Sequence, residues 1–397
     1  MMKKLMISLL SLLVCLGVYM APLHAESEKE EPAEGEETAV ELAKNAKAAY
    51  LMEYSSGKVI YAHNETEKLY PASMTKMMGL LLIYESLNNG KITWDDVVTA
   101  SEHASSMGGS QIFLEPNETM TVRDLVKAIS IASANDAMVA MAEKVGGTHE
   151  GFVDMMNKKA KELGLENTHF VNATGLHDPE HYSCAKDMGI IAQELIRVGD
   201  QDLLDITGTY DAYIREDSDH KFWLVNTNKL LKQYEGVDGL KTGFTQEAMS
   251  CITVTAKRDN LRLIAVVMGE PSSKVRNEEI KQMLDYGYSI YAQDTLMPAG
   301  TVLEERLFEN GKPNKANLVT TEDLMYVYEK GKQTTESSRD IVITKKELPY
   351  TAGEVIGTVT VTMSDGFVIT SDITVDTDIQ PLEYLDIFMK AFQDFFL

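Results

Sequence analysis

Clustered basic side chains are missing: 37 Lys and Arg stand against 61 Asp and Glu, a formal net charge of −24 spread along 397 residues. Binding to nucleic-acid phosphates needs grouped cations, so no nucleic-acid partner is expected. Cysteine is equally scarce, three in all, and only Cys184 and Cys251 lie beyond the N-terminal apolar run. Two cysteines so far apart make no disulfide framework and read as separate buried thiols. No CxxC occurs, and His149-Glu150 meets Val153 where a zinc-peptidase helix needs its second histidine. No metal and no cofactor are therefore expected. Gly108-Gly-Ser110 lacks the closing glycine of a nucleophile elbow, and His177 and His181 flank Pro179 in what reads as a structural turn. No internal repeat is visible.

What is present begins with Lys3-Lys4, an apolar run from Leu5 to Met20, and Leu23-His24-Ala25. This is the pattern of a signal peptide, residues 1–25, and it implies an exported protein. Val14 stands before Cys15 where a lipoprotein signal has a small residue, so lipid attachment is rejected. Residues 26–41 form a Glu-rich, solvated linker. Over the whole chain the hydrophobic share of 44% and charged share of 25% are those of an ordinary globular protein.

Residues 48–62 read as a hairpin turning at Ser55-Ser56-Gly57. Met74 to Leu87, apolar nearly all round and stopped by Asn89-Gly90, predicts a buried helix. Thr121 to Val145 is helical, opened by a cap at Thr121 and interrupted around Ser133–Asn135, and Glu150 to Leu163 is a further helix ending at Gly164. Val237 to Gly269 reads as adjacent strands. After about residue 293 short alternating runs (301–308, 341–344, 355–361, 367–375) predict a small β-rich domain. The expected division is thus a catalytic domain over 42–292, a β domain over 293–378 and a terminal amphipathic helix over 379–397. Its apolar residues Leu385, Phe388, Met389, Phe392, Phe395 and Phe396 oppose Asp386, Lys390 and Asp394. That segment is too short to span a bilayer and suits the membrane interface.

Three short motifs carry chemistry. In Ser73-Met-Thr-Lys76 the lysine falls one turn along the helix on the serine's face, where it can take the hydroxyl proton. A helix N-terminus there favours a developing oxyanion. The same S-x-x-K spacing occurs at Ser55, Ser183 and Ser218, but only Ser73 opens a buried helix. Ser133-Ala-Asn135 offers a hydroxyl that can relay a proton and an amide that can both donate and accept. Lys241-Thr-Gly243 on a strand offers a fixed positive charge, a hydroxyl donor and a close backbone approach at glycine. Each alone has an ordinary structural reading, as a cap or an exposed strand lysine.

Together, in this order on helix, loop and strand, they resemble the signature of penicillin-binding proteins and serine β-lactamases. The chain is similar to the low-molecular-weight penicillin-binding proteins that act as D-alanyl-D-alanine carboxypeptidases. The resemblance rests on Tyr70–Lys76, Ser133–Ala137 and Val237–Thr245, with Asn172-Ala-Thr-Gly-Leu176 and Asn226-Thr-Asn-Lys-Leu230, and runs from about residue 42 to the chain end. It implies an α+β fold: an antiparallel sheet packed with helices, then the β-rich domain and terminal helix. It also implies roles: Ser73 as nucleophile, Lys76 as base, Ser133 as relay, and Asn135 holding the substrate amide. Lys241 would support the field, Thr242 and Arg276 would bind the terminal carboxylate, and Gly243 would admit the substrate backbone. The oxyanion hole would be the N–H groups of Ser73 and Phe244. Ala134 stands where close relatives often have Gly, and Phe244 where some have His. The implied partners are the peptidoglycan stem peptide ending in D-Ala-D-Ala, β-lactams as covalent inhibitors, and the outer face of the cytoplasmic membrane.

Desolvation and the like charge of Lys241 are expected to lower the pKa of Lys76, as a base requires. The alternative enzyme is a serine β-lactamase, which needs a deacylating carboxylate. Glu162 and Glu166 sit at a helix end with no E-x-x-x-N pattern. A catalytically silent peptidoglycan-binding protein would require a broken motif, and all three are intact.

Overall fold

Alternation along the first strand shows how the chain is layered. In β1 (Ala48–Glu53) every residue is buried. Ala48, Tyr50 and Met52 enter one apolar core, while Ala49 and Leu51 enter a second on the opposite face. A strand covered on both faces loses the polar alternation of a surface strand, which is why this stretch reads as a continuous apolar run. The structure, a computed structural model, describes residues 40–216, 218–332 and 334–388. The expected signal peptide and nearly all of the acidic linker lie outside the described residues.

β1 pairs with β2 (Val59–His63), as the hairpin pattern predicts, and β3 (Val237–Thr245), β4 (Met249–Arg258) and β5 (Leu261–Glu270) complete an antiparallel sheet. Its order is β2-β1-β5-β4-β3, so β3 is an edge strand. In the hairpin turn the buried Glu53 carboxylate accepts from the N–H and hydroxyl groups of both Ser55 and Ser56.

On one face lie α1 (Lys76–Asn88), α2 (Val122–Lys127), α3 (Asn135–Gly146), α4 (His149–Glu162) and α5 (Ala185–Thr207). α1 is buried along most of its length, as its uniform apolarity requires, and Gly90 follows it at φ +68°. Thr121 caps α2 by accepting from the Asp124 N–H. A π-turn over Ala128–Ala132 and Ser133 at φ 63° then separate α2 from α3, at the expected interruption. α5, which breaks at Asp200 where the backbone leaves helical conformation, was not legible: its N-cap acceptor is the thiol of Cys184, outside the Ser, Thr, Asp and Asn that mark helix starts. α6 (Ser273–Ile290) covers the other face, its Gly287 close against Leu263 and Leu51.

β6 (Tyr291–Met297) follows α6 directly and pairs with β9 (Leu324–Glu329). β7 (Val302–Leu307), β8 (Lys315–Thr320), β10 (Glu336–Ile343), β11 (Gly357–Met363) and β12 (Val368–Val375) form a second five-stranded sheet around their own core. Gln293 donates to the Ser55 hydroxyl at 2.7 Å and Val327 enters the α6-side core, so the β-rich part is docked on the first sheet. Pro381, expected inside the terminal helix, instead pairs with Gly311 through Gln380–Pro381 because the chain is still extended there. Helical conformation begins at Tyr384, and residues 389–397 lie outside the described residues. Both Cys184 and Cys251 are buried free thiols.

A carboxyl pair ties β5 to α6. Glu270 is fully buried and among the described residues no donor reaches either oxygen, while Glu279 accepts from the backbone and side chain of Asn45. Burial first, then the neighbouring Glu279, raises the Glu270 pKa to about 9. Glu270 therefore carries the proton of the pair. Because the folded state holds this proton longer than the unfolded chain, stability falls as pH rises from the ordinary carboxyl range towards 9. Glu270→Gln keeps a donor and removes the titration. In urea unfolding at pH 6 and pH 8.5, the variant should gain on the wild type at the higher pH. Curves that stay parallel would contradict the assignment.

Candidate active site

The Ser73 turn is built by close packing. Pro71 leads into a 3-10 turn over Ala72–Thr75 that feeds α1. Ala72 takes φ 47°, a left-handed value that non-glycine residues avoid. Gly175, at φ +82°, lies so close that a Cβ on it would fall 1.8 Å from the Ala72 carbonyl oxygen. Gly243 does the same from the edge strand, where a Cβ would sit 2.7 Å from the Pro71 oxygen. The glycine of the third motif thus lets β3 lie directly against the serine turn.

Lys76 is fully buried, its Nζ 2.9 Å from Ser73 Oγ and 2.7 Å from the Thr174 carbonyl oxygen. A neutral amine donates to that carbonyl and turns its lone pair to the serine hydroxyl. Burial and then the positive charge of Lys241 hold the Lys76 pKa well below the usual lysine value, outweighing the opposite pull of Asp136. Among the described residues no carboxylate lies within ion-pair distance of Lys76. On the residue just before Lys76, Thr75 Oγ1 is 2.7 Å from His181 Nε2, and His181 Nδ1 accepts from the Val171 N–H. Desolvation lowers the His181 pKa to about 4, so the ring is neutral and structural.

Ser133 is buried and enters no side-chain hydrogen bond among the described residues; its left-handed conformation is sparsely populated for a residue with a Cβ. Asn135 donates its Nδ2 to the Gly108 carbonyl at 2.7 Å and its backbone N–H to that of Ser110, while its buried Oδ1 has no partner among the described residues. An unpartnered amide oxygen is a ready acceptor for a ligand N–H.

Lys241 is buried, its Nζ 3.2 Å from the Thr242 carbonyl oxygen. Burial first, then Arg276, lowers its pKa to about 7. The fixed charge expected at this strand position is thus a charge that titrates near neutrality. Thr242 Oγ1 donates to Thr227 Oγ1 at 2.7 Å, which brings the Asn226–Leu230 stretch to the cleft wall. Phe244 is exposed. Arg276, in the first turn of α6, donates to the Cys251 carbonyl and to Asn277 Oδ1. Cys251 is the cross-strand partner of Gly243, so Arg276 backs the edge strand from one strand further in.

Glu162 and Glu166 are exposed, and Glu162 pairs with Lys159. Sequence reasoning gave no role to Thr174, His181, Thr227 or Asp136. The Asn172-Ala-Thr-Gly-Leu176 stretch carried the signal for Thr174 and Gly175, since Asn172 Oδ1 folds it by accepting from both N–H groups.

A D-alanyl-D-alanine carboxypeptidase family model matches residues 35–272, and one for the C-terminal domain of penicillin-binding protein 5 matches 291–381. The chain is 48% identical over 330 residues to the D-alanyl-D-alanine carboxypeptidase DacF of Bacillus subtilis, covering 83% of this chain and 84% of that one. Penicillin-binding protein 5 from Haemophilus influenzae superposes with a TM-score of 0.70 at 33% identity, over 86% of this chain and 99% of its own. Penicillin-binding protein D2 from Listeria monocytogenes, solved with ampicillin bound, matches at TM-score 0.56 and 29% identity over 63% of this chain and 99% of its own.

Proposed function

Given that the chain belongs to the D-alanyl-D-alanine carboxypeptidase family, whose members are serine-type peptidases, we propose that Ser73 is the nucleophile that removes the terminal D-Ala from peptidoglycan stem pentapeptides. Neutral Lys76 takes the Ser73 proton as Oγ attacks the carbonyl carbon of the penultimate D-Ala. The resulting oxyanion accepts from the N–H groups of Ser73 and Phe244. As the C–N bond breaks, the departing D-Ala amine receives a proton from Lys76 through the Ser133 hydroxyl, leaving an ester on Ser73. Water, giving its proton to Lys76, then attacks the ester, and Ser73 leaves reprotonated. Asn135 binds the substrate backbone and Gly243 admits it to the free edge of β3. Thr242 and Arg276 take the terminal carboxylate, with Lys241 supporting the positive field.

The observation that carries this reading is the 2.9 Å approach of a fully buried Lys76 amine to Ser73 Oγ, with no carboxylate within ion-pair distance among the described residues. A β-lactam offers the same attack on a strained amide whose leaving amine stays tethered, so the ester persists. The ampicillin-bound relative supports this. Mass spectrometry after incubation with benzylpenicillin should find the intact antibiotic added to the Ser73 peptide. Ser73→Ala should lose both the adduct and peptide cleavage, the latter by roughly 10³-fold or more. An adduct on another peptide, or a variant that still cleaves, would overturn the assignment.

The chain ends fit the same reading. The exported N-terminal pattern takes the enzyme to its wall substrate, with the domain division read from the sequence (42–292, 293–378) separating catalysis from a β-rich stalk. At the other end Tyr384, Leu385, Ile387 and Phe388 are exposed while Asp386 pairs with Lys312. Exposed apolar side chains on a helix start suit a bilayer interface, peripheral on the outer face of the cytoplasmic membrane. Chain truncated after Glu383 should keep its activity on soluble peptide and no longer float with liposomes. Equal flotation of both forms would contradict the anchor.

A further inference from the structure

Phe113 is 64% exposed and sits at φ 57°, an outlier for a bulky side chain. It is held there from both sides. The fully buried Asp136 carboxylate accepts the N–H groups of Ile112 and Leu114, and Arg215 donates to the Ile112 carbonyl at 2.9 Å while pairing with Glu118. An aromatic ring fixed outwards by its neighbours' backbone is a rigid platform, and strain of this kind persists where the surroundings over-determine it.

The Phe113 ring lies 6.1 Å from that of Phe222, on the hairpin Asp211–Ile214 and Phe222–Val225. The two rings line a groove of about 750 Å³ whose rim includes Glu115, Ser218, His220 and Lys221. Aromatic faces with hydroxyl-binding groups around them suit a pyranose, which has a C–H face and equatorial polar groups. A purely apolar ligand would leave that rim unpaired.

The segment that carries Phe113 borders the second motif, because Asp136, next to Asn135, accepts the Ile112 and Leu114 N–H groups. Ser110, whose carbonyl accepts the Asn135 N–H, is three residues from Phe113, a reach of at most ~11 Å. In a stem pentapeptide the attacked carbonyl belongs to the fourth residue, so an extended peptide places the sugar roughly 10–14 Å upstream. We propose that the Phe113–Phe222 groove is a subsite for the sugar ring of the glycan strand that carries the stem peptide. This rests on the carboxypeptidase reading above and adds to it a preference for glycan-linked substrate.

The test compares one pentapeptide ending in D-Ala-D-Ala, free and attached to its N-acetylglucosaminyl-N-acetylmuramyl disaccharide. Wild type should cleave the linked form with the higher kcat/KM. Phe113→Gly, which relieves the left-handed conformation, should lower kcat/KM for the linked form about tenfold, and Phe113→Tyr should restore it. Cleavage of the free peptide and acylation by benzylpenicillin should change less than about twofold. Equal loss on both substrates, or no loss on either, would overturn the subsite. Wild type that cleaves neither substrate would contradict the carboxypeptidase reading itself, and the penicillin reaction, measured separately, distinguishes the two failures.

Discussion

Three cationic side chains, Lys76, Lys241 and Arg276, are buried beside one another with no carboxylate within ion-pair distance among the described residues, and the proposed chemistry of the site follows from that crowding. Removing a charge from water is costly unless a counter-ion or hydrogen bonds replace the solvent, so the group that can release a proton does so. Arg276 cannot. Its pKa falls only to about 10, through burial, and it in turn depresses Lys241. Lys241 adds to the desolvation of Lys76. The chain of effects ends at the Lys76 amine, nearest the serine, whose lowered pKa suits the base role proposed for it. Glu270 could break the chain, but its own burial keeps it protonated, so the field around Arg276 stays positive for an incoming carboxylate.

The fold maintains this crowding mechanically. The edge strand is held against the serine turn by the absence of a side chain at Gly243, and the turn is held from the other side by Gly175. The Thr174 carbonyl fixes one N–H of Lys76, which orients the lone pair. Neutral His181 anchors Thr75 between the serine and the lysine without adding a further charge. β3 is the sheet's edge, and among the described residues no strand pairs with its outer side, the kind of edge on which an extended peptide can add as a strand.

Much of this was legible in the sequence. A continuous apolar helix behind Ser73 singled out this serine among the S-x-x-K spacings, and the structure buries Lys76 there with its amine 2.9 Å from Ser73 Oγ. Thr121 marked α2, and the interruption at Ser133 marked the second motif. The rest depends on tertiary approach. No local pattern reveals that the Thr174 carbonyl reaches Lys76 across 98 residues, or that Arg276 lies close enough to make the Lys241 charge titrate near neutrality. α5 hid behind a thiol cap, and Pro381 read as helix because its bridge to Gly311 is a long-range pairing.

The central claim is that Lys76 is a base because Lys241 and burial together depress its pKa. It is tested most directly by the pH dependence of benzylpenicillin acylation in the wild type and in Lys241→Met. With the neighbouring charge removed, Lys76 should hold its proton to higher pH, so the acid limb of the rate profile should move upwards. An acid limb that stays in place, moves down or is absent from both proteins would contradict the account.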